Sequence, residues 1–206
     1  MKIRTGTSND AERVAALHTE SWRTAYAGIM PDGFLRGPLL EDRLKLWRGR
    51  LDEPQPGAAL FVVESTGEPA GADGADGLDG GEGLSGGDGA DAPDGAAGLD
   101  GFVYVLPRPD GRLLLDNLHA RPGRTGSGIG GRLLRHVFAW AGREHPGRPV
   151  YLEVLSANTR AIAFYERHGA LRTDERICVF EQGFELPELE YTWPTATFRA
   201  QAASGI

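Results

Sequence analysis

The segment Leu113–Arg132, LLLDNLHARPGRTGSGIGGR, constrains this chain more than any other. An apolar strand-like run ends in a turn. Glycines at 126, 128, 130 and 131 then open a run whose apolar residues Ile129, Leu133, Leu134, Val137, Phe138 and Ala141 recur at helical spacing. Glycine carries no Cβ, so a ligand can touch the backbone there. Successive N–H groups and the positive end of the helix dipole make such a turn an anion site, suited to a diphosphate. Arg121, Arg124 and Arg132 lie around it.

Gly126-x-Gly128-x-x-Gly131 also matches the dinucleotide fingerprint, with an acid, Glu153, about twenty residues later. The context differs from that fold. Arg121-Pro-Gly-Arg-Thr125 separates strand from glycines, and only about fifty residues follow Glu153. Further βα units do not fit in that length, and antiparallel runs precede the motif.

The rest of the chain reads as one domain over 1–195 with a frayed tail over 196–206. Lys2–Thr5 reads as a first strand. Asn9 and Glu12 form a capping-box pattern before a helix carrying Val14, Leu17, Ser21 and Ala25 on one face, with His18 and Trp22 beside it. Met30–Gly33 reads as a turn. Leu39–Leu51 reads as a second helix with Leu40, Leu44 and Trp47 inward. Strands are expected at Leu60–Glu64, Phe102–Leu106, Arg112–Ala120, Val150–Leu155, Ile177–Phe180 and Leu189–Trp193. Asn158–His168 is a short helix closed by Gly169. This order predicts an α/β (α+β) fold: a mixed, mostly antiparallel twisted sheet of about seven strands with about four helices.

Residues 65–101 interrupt the pattern. They hold nine acids, no base and thirteen of the thirty glycines. So little apolar surface cannot offset the entropy of ordering, and the stretch is expected to be a flexible acidic loop inserted between two strands. Calcium loops need a D-x-[DN]-x-[DN]-G run with a closing Glu, which is absent, so no metal is expected. Setting the nine acids aside turns a net charge of −7 into +2, which argues against a nucleic-acid partner. No apolar run approaches the ~20 residues of a membrane span, and the N-terminus lacks a secretory apolar core. With the single cysteine, Cys178, ruling out an internal disulfide framework, a cytoplasmic protein is expected.

Three segments together resemble the GNAT (GCN5-related N-acetyltransferase) family over roughly residues 1–195, apart from the acidic loop. Leu118-His-Ala-Arg-Pro122 followed by Thr125-Gly-Ser-Gly128-Ile-Gly130 resembles motif A, with Thr125 at a position usually Arg or Gln, Arg124 one residue earlier, and Ala120 for the common Val. Leu152-Glu-Val154, Asn158, Ala161, Phe164-Tyr165-Glu166 and Gly169 resemble motif B. His18-x-x-Ser21-Trp22-Arg23-x-x-Tyr26-x-Gly28 resembles the acceptor-side helix of bacterial members. The resemblance implies acetyl-CoA as co-substrate. Arg124, Thr125, Gly126, Ser127, Gly128, Ile129, Gly130 and Gly131 would hold its pyrophosphate. Its pantetheine would run beside Leu118–Ala120 and meet Asn158, and the Leu118 N–H would polarise the thioester carbonyl. The acceptor would be a small amine or a peptide N-terminus. A homodimer is left open.

Acetyl transfer to an amine needs a base for the ammonium and an acid for the departing thiolate. Glu153 is the single acid in the apolar run Val150–Leu155, where burial is expected to raise its pKa. It also matches the base of an LEV strand in family members acting on protein N-termini. Asp116 is the second candidate, and His119 or His18 could relay protons. Tyr165 matches the family tyrosine that faces the coenzyme sulfur and is the expected acid. His18, Trp22 and Tyr26 are expected to line the acceptor slot. Cys178 lies in an apolar strand and reads as a buried structural residue, so direct transfer in a ternary complex is expected. A non-catalytic CoA- or nucleotide-binding module with an acidic arm is the alternative, and an NAD-dependent oxidoreductase a poorer one.

Overall fold

The computed structural model describes residues 2–65, 98–124 and 126–196. Seven strands form one sheet: β1 (Ile3–Thr5), β2 (Ala59–Glu64), β3 (Leu99–Pro107), β4 (Leu113–Ala120), β5 (Val150–Leu155), β6 (Leu171–Val179) and β7 (Glu185–Trp193). Five helices accompany it: α1 (Ala11–Ala25), α2 (Asp32–Leu35), α3 (Leu39–Asp52), α4 (Ile129–Glu144) and α5 (Thr159–Arg167). The spatial order is β1-β2-β3-β4-β5-β7-β6, and every neighbouring pair is antiparallel except β4–β5.

The central strand β3 is buried from Leu99 to Leu106, as a strand covered on both faces must be. Val103 and Val105 pack under α4 with Leu133, Leu134, Val137 and Phe138. Phe102, Tyr104 and Leu106 face the other way, against Val14, Ala15 and Leu17 of α1 and Trp47 of α3.

Several boundaries differ from the sequence reading. The capping box is Thr7 with Asp10, whose carboxylate accepts the Thr7 N–H at 2.9 Å, and not Asn9 with Glu12. The turn at Met30–Gly33 gives way to the short helix α2. On α3 Leu39 and Trp47 are buried and Leu44 packs on the same core as read, while Leu40 is 42% exposed. β6 and β7 begin six and four residues earlier than read, because the polar residues of the nearly fully exposed β6 and of the start of β7 carry no apolar strand pattern. The stretch read as an acidic loop also ends early: Leu99, Asp100 and Gly101 belong to β3, and Leu99 and Asp100 are buried. Residues 66–97 of that stretch and 197–206 of the tail lie outside the described residues.

Two irregularities shape the site. In β3–β4, Tyr104 faces Asn117 and Val105 faces Leu115, so Asp116 is an extra, bulged residue. In β4–β5 only Leu113↔Val150 and Leu114↔Tyr151 pair, after which the two parallel strands part. The gap between their carboxyl ends is where ligands bind in α/β sheets.

Candidate active site

The parted strands open a cleft of about 550 Å³ walled by β4, the start of α4, β5, α5 and the end of α1. Its glycine turn divides into two kinds of position. Gly126 (φ 92°) and Gly128 (φ 80°) have the positive φ that disfavours a side chain, and a Cβ on either would meet nothing within 4 Å, so the space above them is open. Gly130 and Gly131 serve close packing: a Cβ there would lie 3.2 Å from the Phe164 ring and 3.1 Å from His168 Nε2. The first intrahelical bond of α4 is Arg132 N–H to Gly128 O at 3.1 Å, so the N–H groups before it point into the cleft unpaired by the helix. This cradle fits a diphosphate.

The arginines around it are only partly those expected. Arg124 lines the cleft, but Arg121 turns away to donate to the Leu99 carbonyl at 2.9 Å, and Arg132 is not among the lining residues. Arg135, Arg160 and Arg167 line it instead. Arg160 and Arg167 are seven apart on α5 and so share a face. That spacing is visible in the sequence, but only the α4–α5 packing aims it at the cradle. Thr125 lies outside the described residues, and Ser127 folds its hydroxyl back to the Arg124 carbonyl at 2.5 Å.

Leu118, Ala120, Ile129 and Asn158 line the cleft as expected. Asn158 caps α5 by accepting the Ala161 N–H at 3.2 Å, and its side chain also bonds Tyr26. Tyr165 is 9% exposed and lines the cleft floor. Burial, reinforced by the neighbouring Tyr26, raises its pKa above the ordinary phenol, so it holds its proton throughout the physiological range.

The carboxylates are more engaged than the sequence suggests. Glu153 lines the cleft but is about one-third exposed and ion-paired with Arg176 of β6, not isolated among apolar side chains. Arg176 also holds Glu188 of β7 at 3.1 Å. Burial, and then the nearby Glu153 charge, raises the Glu188 pKa. Glu188 is thus the acid with the elevated pKa, and it escaped the sequence reading because strand register brings it beside Glu153. Asp116 lines the cleft while bound by Arg50 at 2.6 Å and by the Asn117 amide.

On the α1 wall, Tyr26 lines the cleft but His18 and Trp22 do not. His18 is 1% exposed and accepts the Trp47 Nε1–H at 3.0 Å. Trp22 packs on Tyr26, with ring centroids 5.1 Å apart. Ser21 and His119 take their place, joined at 2.9 Å. Burial, with Arg43 nearby, pushes the His119 pKa down to about 3, so the imidazole is neutral. Cys178 is partly exposed on the edge strand, not buried. Its pKa is raised by desolvation and by Glu188, which leaves a poor nucleophile.

The sequence of residues 14–170 matches the acetyltransferase (GNAT) family. The chain belongs to that family and is an acyltransferase. It is 27% identical over 176 residues to a probable N-acetyltransferase of Mycobacterium tuberculosis, covering 81% of this chain and 78% of that one. Its fold matches a ribosomal-protein-alanine N-acetyltransferase from Brucella melitensis (TM-score 0.61, 18% identity, 94% of this chain and 99% of the other). It also matches the PaiA N-acetyltransferase from Thermoplasma acidophilum in complex with coenzyme A (TM-score 0.59, 18% identity, 91% and 96%). Among the described residues no helix is long and apolar enough to cross a membrane.

Proposed function

We propose that the chain transfers an acetyl group from acetyl-CoA to a primary amine directly, in a ternary complex. The observation that carries this reading is the buried Tyr165 lining a cleft that also holds the glycine cradle and the carboxylates of Asp116 and Glu153. The N–H groups of Gly128 to Gly131, flanked by Arg124, Arg135, Arg160 and Arg167, suit the pyrophosphate of a CoA thioester. The parted edge of β4 at Leu118–Ala120 offers backbone to an extended amide arm, as a sheet edge does to an added strand, and Asn158 stands opposite. A coenzyme complex of a protein with this fold is consistent with that placement.

Acetyl-CoA supplies the activated acyl group. The chain positions it, polarises the carbonyl through the Leu118 N–H, and moves two protons. Glu153, directly or through water, takes the proton of the incoming ammonium. Tyr165 gives its proton to the departing sulfur and regains one from the nitrogen as it becomes the amide, so the phenol is restored and Glu153 releases its proton to solvent. The burial that raises the phenol pKa also raises that of a thiolate held beside it, so donor and acceptor stay matched. Neutral His119 and tightly paired Asp116 line the slot without charge to spare.

Titration calorimetry with acetyl-CoA tests the cradle, and thiol release with a panel of amines tests the chemistry. Tyr165→Phe keeps the ring and removes the hydroxyl. Acetyl-CoA affinity should hold while kcat falls roughly 10²-fold or more, the range of general acid catalysis. Failure to bind acetyl-CoA, or an unchanged kcat in Tyr165→Phe, would overturn the assignment.

A further inference from the structure

The wall of the cleft carries more positive charge than its glycine turn needs. Arg135 of α4 and Arg160 and Arg167 of α5 all line the cleft and are exposed to solvent. Among the described residues, none of these three side chains takes part in an ion pair or a hydrogen bond. The other charges of the cleft are matched. Arg124 has the buried Asp100 carboxylate 3.8 Å away. Of the lining carboxylates, Asp116 is bound by Arg50 at 2.6 Å and Glu153 is paired with Arg176. A diphosphate carries about two negative charges and is already met by Arg124 and the free N–H groups at the start of α4. Three further cations are left over.

Their places differ. A Cβ on Gly131 would lie 3.5 Å from Arg135 Nη1 and 3.1 Å from His168 Nε2. The Arg135 guanidinium therefore reaches from α4 to the residue that follows Arg167, and these two arginines flank the Gly131 end of the turn. His168 is itself fixed to α5 through Nδ1, which bonds the Phe164 carbonyl at 2.8 Å. Arg160 stands seven residues earlier on α5, about 10 Å back along the helix toward Asn158, where the amide arm of the donor would run. One surplus cation thus belongs with the arm, and two stand together beyond the cradle.

We propose that Arg135 and Arg167 form a second phosphate site, which takes the 3′-phosphate of the coenzyme's ribose and makes the enzyme selective for free acyl-CoA over phosphopantetheine thioesters that lack this group. A phosphomonoester carries about −1.5 to −2 at pH 7, the charge that two guanidinium groups match. The planar fork of arginine meets phosphate oxygens in pairs, and arginines on two different helices can grip one phosphate from two sides. Both groups are exposed, so the attraction weakens as salt is added. This inference rests on the transferase reading and adds the class of acyl donor that the site selects.

The test compares CoA with dephospho-CoA, which keeps the pyrophosphate and lacks the 3′-phosphate. Calorimetry on the full chain should give CoA a 10-fold or greater advantage in Kd, the scale of one or two hydrogen bonds to a charged group. The advantage should shrink as potassium chloride is raised. The double variant Arg135→Gln, Arg167→Gln should bring the two ligands within about 2-fold by weakening CoA alone. Arg143→Gln removes an equal charge from α4 outside the cleft and should leave the ratio as it is. Thiol release from acetyl-CoA and acetyl-dephospho-CoA with an amine panel should show the same preference in KM, with kcat little changed. Preference for CoA in binding without any thiol release would uphold the phosphate site and overturn the transferase reading. Thiol release with equal Kd for the two ligands would overturn the inference and leave the transferase standing. A double variant that weakens both ligands equally would also overturn it, because the two arginines would then serve the pyrophosphate.

Discussion

At the scale of single residues, the carboxylate that takes the amine proton is set by charge sharing. Glu153 and Glu188 repel each other and compete for Arg176, and Glu188 is the more buried, so its proton leaves at a higher pH than an ordinary glutamate's. A base must be ionised to act, so activity is lost as pH falls through the pKa of whichever group serves. If Glu153 is the base, Glu153→Gln flattens the acidic limb of kcat/KM, and the residual rate rises only at high pH where free amine is abundant. If Glu188 is the base, the same variant removes a repelling charge, lowers the Glu188 pKa, and shifts the limb to lower pH without flattening it. Asp116→Asn should leave the limb in place, because Asp116 is already bound by Arg50 at 2.6 Å and by Asn117. A limb that vanishes in Asp116→Asn alone would move the base to the β4 bulge.

At the scale of elements, the glycine turn separates two roles that the sequence writes with one letter. Gly128 stands at φ 80° with open space beyond it, while Gly131 touches His168 of the segment after α5. Gly128→Asp places a negative side chain over the cradle. It should abolish acetyl-CoA binding by calorimetry and cost stability only through the strained φ, roughly 1 kcal/mol. Gly131→Ala instead brings a Cβ within 3.1 Å of His168 Nε2, so that ring must give by a few tenths of an ångström. It should lower Tm with the first effect on packing, and acetyl-CoA affinity should fall less than in Gly128→Asp. Equal loss of affinity in both would mean that the turn acts as one rigid body. The contrast also shows what was legible. The strand, the glycines and the helix of 113–141 were readable because periodicity and glycine chemistry are local. The arginines that complete the cradle were not, since Arg160 and Arg167 reach it only when α5 packs on α4. Glu188 was hidden for a similar reason: an alternating acidic strand carries no mark of the register that sets it near Glu153. On α3 the sequence placed Leu44 and Trp47 inward correctly and took Leu40 where Leu39 is the buried residue.

At the scale of the whole molecule, the remaining question is what the acidic stretch does for the fold. Its two ends are tied together where they meet the sheet. Ser65 N–H donates to the Gly98 carbonyl at 3.0 Å, and the Ser65 hydroxyl donates to Asp100 at 2.8 Å. Asp100 is 2% exposed, with Arg121 and Arg124 each 3.8 Å away, and Leu99 is 1% exposed. The sheet therefore closes at Ser65 and Gly98 without needing what lies between, and loop length costs only logarithmically in entropy. Replacing residues 66–97 by Asn-Gly, a two-residue hairpin turn, should hold Tm within a few degrees and retain thiol-release activity. Extending the deletion through Asp100 removes a buried leucine and strips two arginines of their buried carboxylate. That second variant should lose about 2–4 kcal/mol and roughly 5–15 °C in Tm for a domain of this size. It should also raise KM for acetyl-CoA, because Arg124, which lines the cradle, loses the buried Asp100 carboxylate beside it. The comparison is decisive because both variants delete nearly the same acidic charge. If the shorter deletion alone abolishes turnover at saturating acetyl-CoA, the acidic stretch is part of the active site, and the picture of a transferase complete in its described residues is wrong.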